Sequence, residues 1–173
     1  MRILDATCGY KGIWYQKNHP FVTFIDMRKG FTKNTPGTKI KNRRRFKLQP
    51  DVIVDWTKGV PFNNESFDMV IFDPPHLMKD KEALDSSLTL RYGRLDKSNY
   101  KEYLGKGINE LFRVLKPEGV FILKWSESCV KVDEIIKLMP YPPLFGSNTK
   151  SKGHTANFWI VFLKYNVNQE LKI

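Results

Sequence analysis

Short apolar runs, separated by polar residues, glycines and prolines, recur along most of the chain. Apolar runs of about four to eight residues between turn signals are typical of buried strands. They predict five strands, at Arg2–Ala6, Phe21–Ile25, Asp51–Val54, Phe67–Phe72 and Val120–Lys124. Two later runs, Tyr141–Phe145 and Ala156–Tyr165, are interpreted as two further strands that form a final antiparallel pair.

Apolar side chains spaced three and four residues apart predict helices between these strands. The clearest helical pattern covers Asn99–Leu115 and ends where Pro117 and Gly119 follow. A second helix is predicted over Val132–Met139, and Gly12–Lys17 is predicted to begin a short one. Strands that alternate with helices indicate an α/β chain with a doubly wound sheet. No internal repeat or long linker divides the sequence, so residues 1–173 are predicted to form one domain.

Two stretches do not fit this alternation. Between Met27 and Pro50 there are nine basic residues and no acid. Like charges repel one another unless a polyanion is present, so we interpret residues 28–47 as a basic arm that contacts phosphates, with Arg43, Arg44 and Arg45 as substrate-binding residues. A solvated surface loop is the alternative. Residues 77–97 form a long polar segment, and connections of that length are often lids or substrate-binding loops.

The whole chain is also basic, with a net charge of +11 and a pI of about 9.6. Such a charge favours a polyanionic partner, most often nucleic acid, although a merely basic protein is the alternative. No apolar run approaches the roughly 18 residues of a membrane span, and the first residues lack a signal peptide's apolar stretch, so we expect a cytoplasmic protein. The two cysteines and three histidines lack ligand-like spacing, and we expect no metal site.

An acid lies at the carboxyl end of each of the first four predicted strands: Asp5, Asp26, Asp55 and Asp73. In a doubly wound parallel sheet these ends share one edge, where ligands bind. The turn after Asp5 contains Gly9 and Gly12, which let backbone N–H groups approach a ligand closely. Asp26 lies 21 residues after Asp5, the separation at which an acid of a βαβ unit hydrogen-bonds a ribose. The sequence therefore predicts a nucleoside site at this edge.

The fourth acid begins the sequence Asp73-Pro74-Pro75-His76. Neither proline has a backbone N–H for a sheet or a helix, so the chain must leave the strand in a stiff turn. The turn places a carboxylate and a histidine together at the predicted ligand-binding edge.

Taken together, these motifs resemble those of class I S-adenosylmethionine-dependent methyltransferases, in the amino-methyltransferase branch marked by Asp-Pro-Pro. The compact layout is similar to that of small phage- and prophage-encoded adenine methyltransferases. The resemblance covers nearly the whole chain. It implies an α/β fold with a Rossmann-like doubly wound seven-stranded sheet, mostly parallel with a final antiparallel strand. It also implies that S-adenosyl-L-methionine is held by Asp5, Ala6, Thr7, Cys8, Gly9, Gly12, Asp26, Met27, Asp55 and Trp56.

The resemblance implies a role for each residue of the turn. Asp73 and the carbonyl of Pro74 would accept N–H hydrogen bonds from an amino group, and Pro75 would stiffen the turn. His76 stands where the family usually has an aromatic residue that stacks on a flipped base. Tyr92 and Trp125 are further candidates for stacking, with packing in the core or lid as the alternative. The cofactor loop also lacks the full three-glycine form.

The expected activity is methyl transfer to an exocyclic amino group of a nucleic-acid base, most favourably adenine N6 in DNA or RNA. Three alternatives stay open: cytosine amino groups, the amide of a protein glutamine, and a non-catalytic nucleic-acid-binding module. No separate target-recognition domain is evident. The basic arm, the 77–97 segment, a homodimer or a partner protein is therefore expected to supply recognition.

Overall fold

A computed structural model describes residues 1–32, 46–149 and 155–165 of the chain. Within these residues, seven strands form one sheet in the order β6-β7-β5-β4-β1-β2-β3. The strands are β1 (Ile3–Asp5), β2 (Val22–Asp26), β3 (Val52–Ile53), β4 (Phe67–Phe72), β5 (Leu115–Ser126), β6 (Pro143–Thr149) and β7 (Asn157–Leu163). The first five pair in parallel, and β7 runs antiparallel to both of its neighbours. The predicted fold class is confirmed.

Three α-helices and one 3-10 helix accompany the sheet within the same residue ranges. They are α1 (Ser87–Tyr92), α2 (Tyr100–Val114), α3 (Val132–Ile136) and the 3-10 helix Trp56–Lys58. None of these described helices is long and apolar enough to cross a membrane.

Several element boundaries differ from the sequence predictions. The short helix predicted from Gly12 to Lys17 is wrong, because the chain there forms tight turns. Lys11, just before this stretch, has a φ of +56°, which is outside the range of a right-handed helix. The backbone N–H of Trp14 donates to the carbonyl of Lys11, three residues earlier, at 3.2 Å, which is the hydrogen bond of a turn. Strand β5 begins earlier than predicted, at Leu115, because α2 leads directly into the sheet beside Phe67.

The predicted lid, residues 77–97, contains more regular structure than its polar sequence indicates. Met78–Lys79 and Leu95–Asp96 pair as short parallel strands, and α1 lies between them. A capping box begins α1, in which the Ser86 side chain accepts from the backbone N–H of Thr89 and the Thr89 side chain accepts from the backbone of Ser86. The segment is therefore a folded unit that is attached at both ends.

Only the base of the predicted basic arm lies within the described residues. Gly30–Phe31 pairs in antiparallel fashion with Lys47–Leu48. The arginines predicted to contact phosphates, Arg43, Arg44 and Arg45, lie outside the described residues.

The main core lies where α2 packs on the sheet. The buried face of α2 includes Leu104, Ile108 and Leu111, which have no exposed surface. Phe112 stacks on Phe121 of β5, with ring centroids 4.6 Å apart and planes 6° apart. This packing fixes β4 and β5 and thereby positions the residues that follow their carboxyl ends.

Close packing between α2 and the 3-10 helix depends on a glycine. A Cβ atom at Gly107 would lie 2.1 Å from the ring of Trp56, which also contacts Phe72 edge-to-face. We expect Gly107→Ala to lower the free energy of unfolding by about 1–3 kcal/mol, because the large buried ring must move. Gly105→Ala is the matched control on the same helix, since a methyl group at Gly105 would meet no atom within 4 Å.

That control is expected to raise stability by about 0.5–1 kcal/mol, because alanine favours a helix over glycine. Chemical denaturation of both variants measures the difference. Equal effects from the two substitutions would contradict the close contact between Gly107 and Trp56.

Candidate active site

The carboxyl ends of β1, β2 and β4 meet at two adjacent cavities. The first cavity, of about 200 Å³, includes most of the loop after β1 and the whole turn after β4 in its lining. The second cavity, of about 150 Å³, lies beside β2 and the 3-10 helix. The predicted residues that line the first are Asp5, Thr7, Cys8, Gly9, Gly12, Asp73, Pro74, Pro75, His76 and Tyr92; those that line the second are Ala6, Thr7, Asp26, Met27, Trp56, Asp73, Pro75 and Tyr92.

Two predicted site residues have other roles in the structure. Asp55 caps the 3-10 helix, where its carboxylate accepts from the backbone N–H of Thr57 at 3.1 Å and from its hydroxyl at 2.7 Å. Asp55 lines neither cavity. Trp125 has no exposed surface, and its indole N–H donates to the carbonyl of Val130. Its predicted contact with a base is corrected, because the ring is part of the core.

Hydrogen bonds connect the loop after β1 to both neighbouring strands. The backbone N–H of Asp73 donates to the Thr7 hydroxyl at 2.8 Å, and the N–H of Gly9 donates to Asp26 at 3.0 Å. Gly9 has a φ of +50°, a left-handed conformation that glycine adopts without steric cost. The loop thereby holds the Asp73-Pro74-Pro75-His76 turn and the predicted ribose acid in one network.

The predicted ribose acid, Asp26, has its hydrogen-bonding capacity filled. Its Oδ1 atom accepts from the backbone N–H and the Nε of Arg28 at 2.8 and 3.0 Å. Its Oδ2 atom accepts from Gly9 and from Nη2 of Arg28 at 3.0 and 3.1 Å. A carboxylate offers about four acceptor positions. A ribose hydroxyl therefore needs Arg28 to move before it can bond to Asp26.

Asp5 is almost completely buried and has no cationic partner among the described residues. Burial raises the pKa of its carboxyl to about 7, and the negative charges of Asp73 and Asp26 add to this. Hydrogen bonds from the Trp14 indole at 2.7 Å and the Thr7 backbone at 3.1 Å favour the charged form and partly offset the rise in pKa.

The raised pKa of Asp5 predicts how stability changes with pH. A carboxyl that binds its proton more tightly in the folded state stabilises the fold below its unfolded pKa, and that contribution is lost as pH rises through the folded pKa. For a pKa raised from 3.8 to about 7, the contribution is on the order of 4 kcal/mol. We expect Asp5→Asn to be more stable than the wild type above pH 7, with the difference shrinking as the pH falls below about 7.

Thermal unfolding of the unliganded protein across this pH range measures the effect. Asp68→Asn is the control, because Asp68 at the opposite end of β4 forms an ion pair with Lys116 and its pKa is lowered. A stability difference between the wild type and Asp5→Asn that does not depend on pH would contradict the raised pKa of Asp5.

The carboxylate of Asp73 is paired with a lysine. Phe72 is the register partner of Leu123, so the next residues, Asp73 and Lys124, lie side by side. Lys124 Nζ donates to Oδ2 of Asp73 at 2.7 Å, and each side chain keeps about a quarter of its surface exposed, 25% for Lys124 and 24% for Asp73. Among the described residues, Lys124 is the one group that bonds to this carboxylate, so Oδ1 stays available as an acceptor.

Two aromatic rings flank the mouth of the first cavity. The rings of His76 and Tyr92 have centroids 6.4 Å apart and planes at 40°. Burial lowers the pKa of His76, so its imidazole is neutral at neutral pH. The rings come together because the end of α1 approaches the proline turn: a Cβ on Gly93 would lie 3.0 Å from Pro75.

A third cation in the first cavity, Arg91, lies in an aromatic cage. Its guanidinium carbon is 3.9 Å from the ring centroid of Phe46, 4.6 Å from that of Tyr92 and 4.9 Å from that of Tyr10. Nη2 donates to the Tyr10 hydroxyl at 2.8 Å, whereas the buried Nε has no hydrogen-bond partner. Arg91 thus joins α1 to the loop after β1 and to the base of the arm.

No protein-family model matches the chain, and no curated protein matches it in sequence. Solved structures do match its backbone. A SAM-dependent methyltransferase from Methanosarcina mazei superposes with a TM-score of 0.55 and 15% identity, over 95% of this chain and 92% of that chain. The chain has the fold of the S-adenosylmethionine-dependent methyltransferases.

Two further structures have this methyltransferase fold. One is the 1,6-didemethyltoxoflavin-N1-methyltransferase of Burkholderia thailandensis, with bound S-adenosylhomocysteine (TM-score 0.52, 14% identity, 95% of this chain and 71% of that one). The other is the N-methyltransferase NodS of Bradyrhizobium japonicum (TM-score 0.55, 9% identity, 95% and 86%). At such identities the comparison establishes the fold, and the substrate has to be argued from the site.

Three cations that line the first cavity were not among the predicted site residues: Arg28, Arg91 and Lys124. Lys124 is the last residue of a predicted strand. Its position beside Asp73 could be predicted only if that strand was assumed to pair in parallel with the strand that ends before Asp73. Arg28 was assigned to the basic arm because of its charge, although it lies two residues after the predicted ribose acid. Nothing local to the sequence around Arg91 indicated its aromatic cage.

Proposed function

We propose that this protein is an S-adenosylmethionine-dependent methyltransferase that modifies an exocyclic amino group of a nucleic-acid base, with adenine N6 favoured. The observation that carries the proposal is that the Asp73-Pro74-Pro75-His76 turn lines the same cavity as the glycine-containing loop. A methyl donor held by the loop would therefore lie beside the acceptors of the turn.

The two cavities provide room for the two parts of the cofactor. They share Thr7, Arg28, Asp73, Pro75 and Tyr92 and are therefore neighbours. Asp26, Met27 and Trp56 at the second cavity would receive the adenosine, with Asp26 at the ribose. The methionine part would then extend along the loop into the first cavity. The neighbour from Burkholderia thailandensis, which contains S-adenosylhomocysteine, supports this choice of cofactor.

The turn has the groups that an amino acceptor needs. The sulfonium methyl group is already electrophilic, so the protein mainly has to align an in-line displacement. The lone pair of an aryl amino nitrogen is conjugated with its ring. Hydrogen bonds from its two N–H groups to Asp73 Oδ1 and the Pro74 carbonyl would direct the lone pair at the methyl carbon. S-adenosylmethionine would supply the methyl group: the N–C bond would form as the C–S bond breaks, S-adenosylhomocysteine would leave, and the nitrogen would release a proton to solvent.

Lys124 contributes to this alignment through Asp73. Because Lys124 occupies Oδ2, the carboxylate is fixed and presents Oδ1 to the amino group. The lysine also compensates the negative charge of Asp73 in a cavity that already contains Asp5. An acceptor held in one orientation restricts the amino group to the geometry needed for the displacement.

The rings at the cavity mouth are suited to a base that has left its stack. The rings of His76 and Tyr92 have centroids 6.4 Å apart, and either ring could stack on a flipped base. The neutral imidazole of His76 can stack or hydrogen-bond.

The charge of the protein supports a polyanionic substrate. The net charge is +11, and the stretch between Met27 and Pro50 contains nine basic residues and no acid; the first of them, Arg28, lines both cavities. Phosphate contacts made there would bring nucleic acid to the cavities. Target recognition would come from the arm, from residues 77–97, from a homodimer or from a partner protein.

The test is methyl transfer from radiolabelled S-adenosylmethionine to a panel of single- and double-stranded DNAs and RNAs, followed by digestion to nucleosides. Label in N6-methyladenosine or its deoxy form supports the proposal and identifies the polymer. Label in N4-methylcytosine would change the base. Label only in an added protein extract would favour the glutamine amide, and cofactor binding without any transfer would favour a non-catalytic nucleic-acid-binding module.

A further inference from the structure

The charges that line the first cavity are mostly paired. Lys124 is bound to Asp73, and Arg28 is bound to Asp26 at the adjoining second cavity. Two ionisable side chains of the first cavity, Arg91 and Asp5, have no oppositely charged partner among the described residues. The cavity therefore has one unmatched cation and one unmatched acid.

Arg91 is built as a receptor for an anion. Its guanidinium is held by three aromatic rings and a tyrosine hydroxyl, so little conformational freedom remains to be lost when a ligand binds. Its Nε is buried without a hydrogen-bond partner, which is a cost in the unliganded protein. A planar guanidinium binds a carboxylate through paired hydrogen bonds, more favourably than any neutral group.

An α-amino acid group has the charges that this cavity leaves unmatched. Its carboxylate is complementary to Arg91 and its ammonium to Asp5. Both residues border the one cavity of about 200 Å³, together with Gly9 and Gly12 of the loop. We infer that Arg91 binds the carboxylate of the amino-acid end of the cofactor, with the ammonium directed to Asp5. This inference rests on the proposed cofactor.

Such a contact would determine the order in which the cofactor and the nucleic acid bind. Arg91 belongs to α1, and the next residue, Tyr92, faces His76 across the mouth of the cavity. A carboxylate bound to Arg91 would hold α1 against the loop after β1. The cofactor would thereby complete the wall of the base-binding site before the nucleic acid enters.

The test compares two ligands that differ by one carboxylate. S-adenosylmethionine and decarboxylated S-adenosylmethionine are titrated calorimetrically into the wild type, Arg91→Met, Arg91→Lys and Arg2→Met. We expect Arg91→Met to bind S-adenosylmethionine about 10- to 100-fold more weakly than the wild type, as the loss of a charge-assisted hydrogen bond predicts. Its affinity for the decarboxylated ligand should not fall. Arg91→Lys should recover part of the loss.

Arg2→Met is the matched control. Arg2 also lies over an aromatic ring, 5.0 Å from that of Phe67, but at the amino end of β1, away from the cavities. This variant loses the same charge and should bind both ligands as the wild type does. Equal weakening of both ligands in Arg91→Met would assign Arg91 a purely structural role and overturn the inference. A wild type that binds the two ligands equally would overturn it too, and one that binds neither would refute the proposed cofactor itself.

Discussion

Asp73→Ala is expected to reduce methyl transfer at least about 100-fold while the protein still binds S-adenosylhomocysteine. The methyl group is activated by the cofactor, so the loss arises from misalignment of the amino group, and misplacement by about 1 Å costs that much. Transfer to the best nucleic acid of the panel measures the rate, and calorimetry measures binding. S-adenosylhomocysteine is the better binding probe, because it lacks the sulfonium charge that the unpaired Lys124 would repel.

Asp68→Ala provides a matched control for this substitution. Asp68 lies near the amino end of β4, the strand that Asp73 directly follows, and it forms a similar ion pair, with Lys116 at 2.8 Å. It should retain full activity. If Asp73→Ala lost cofactor binding and activity together, misfolding would be the explanation; if it kept normal activity, Asp73 would not orient the acceptor.

Asp26→Ala is expected to weaken binding of S-adenosylhomocysteine about 10- to 100-fold, because hydrogen bonds from the ribose to a charged acceptor are lost. The structure also predicts a substitution that should strengthen binding of S-adenosylhomocysteine. Since Arg28 occupies three of the four bonds to Asp26, Arg28→Ala should free the carboxylate and tighten binding. The backbone N–H of Arg28 can still donate in that variant, so a gain of about 3- to 10-fold is expected.

Lys58→Ala is the control for Arg28→Ala. Lys58 pairs at 3.7 Å with Asp55, the acid that follows β3, and it lies outside both cavities. Its removal should leave affinity unchanged. Weaker binding in Arg28→Ala would mean that the arginine itself holds the cofactor, and unchanged binding in Asp26→Ala would exclude the ribose contact.

Much of the site could be predicted because its residues follow strands. Asp5, Asp26 and Asp73 were expected at one edge of a parallel sheet, and the structure brings all three to the two cavities. Asp55 had the same sequence signal but caps the 3-10 helix instead. A carboxylate after a strand satisfies either role, and only the direction of the following chain separates them.

The two residues predicted to stack on a base, Tyr92 and Trp125, also could not be told apart from the sequence. Tyr92 and Trp125 were equivalent in sequence, each a large ring near a predicted site. Tyr92 lies at the cavity mouth beside His76, whereas Trp125 is completely buried. Burial depends on what packs against each ring, and the chain around a residue does not reveal that.

The sequence by itself determined the seven-stranded α/β sheet, the edge of the sheet where the two cavities lie and the stiff Asp73-Pro74-Pro75-His76 turn. These follow from apolar periodicity and from prolines and glycines, which act on the backbone locally. Only the tertiary structure decided which charges meet: Arg28 with Asp26, Lys124 with Asp73, and Arg91 with no acid among the described residues. The Lys124 and Arg91 contacts join residues far apart in the chain, and strand order, register and the docking of α1 bring them together.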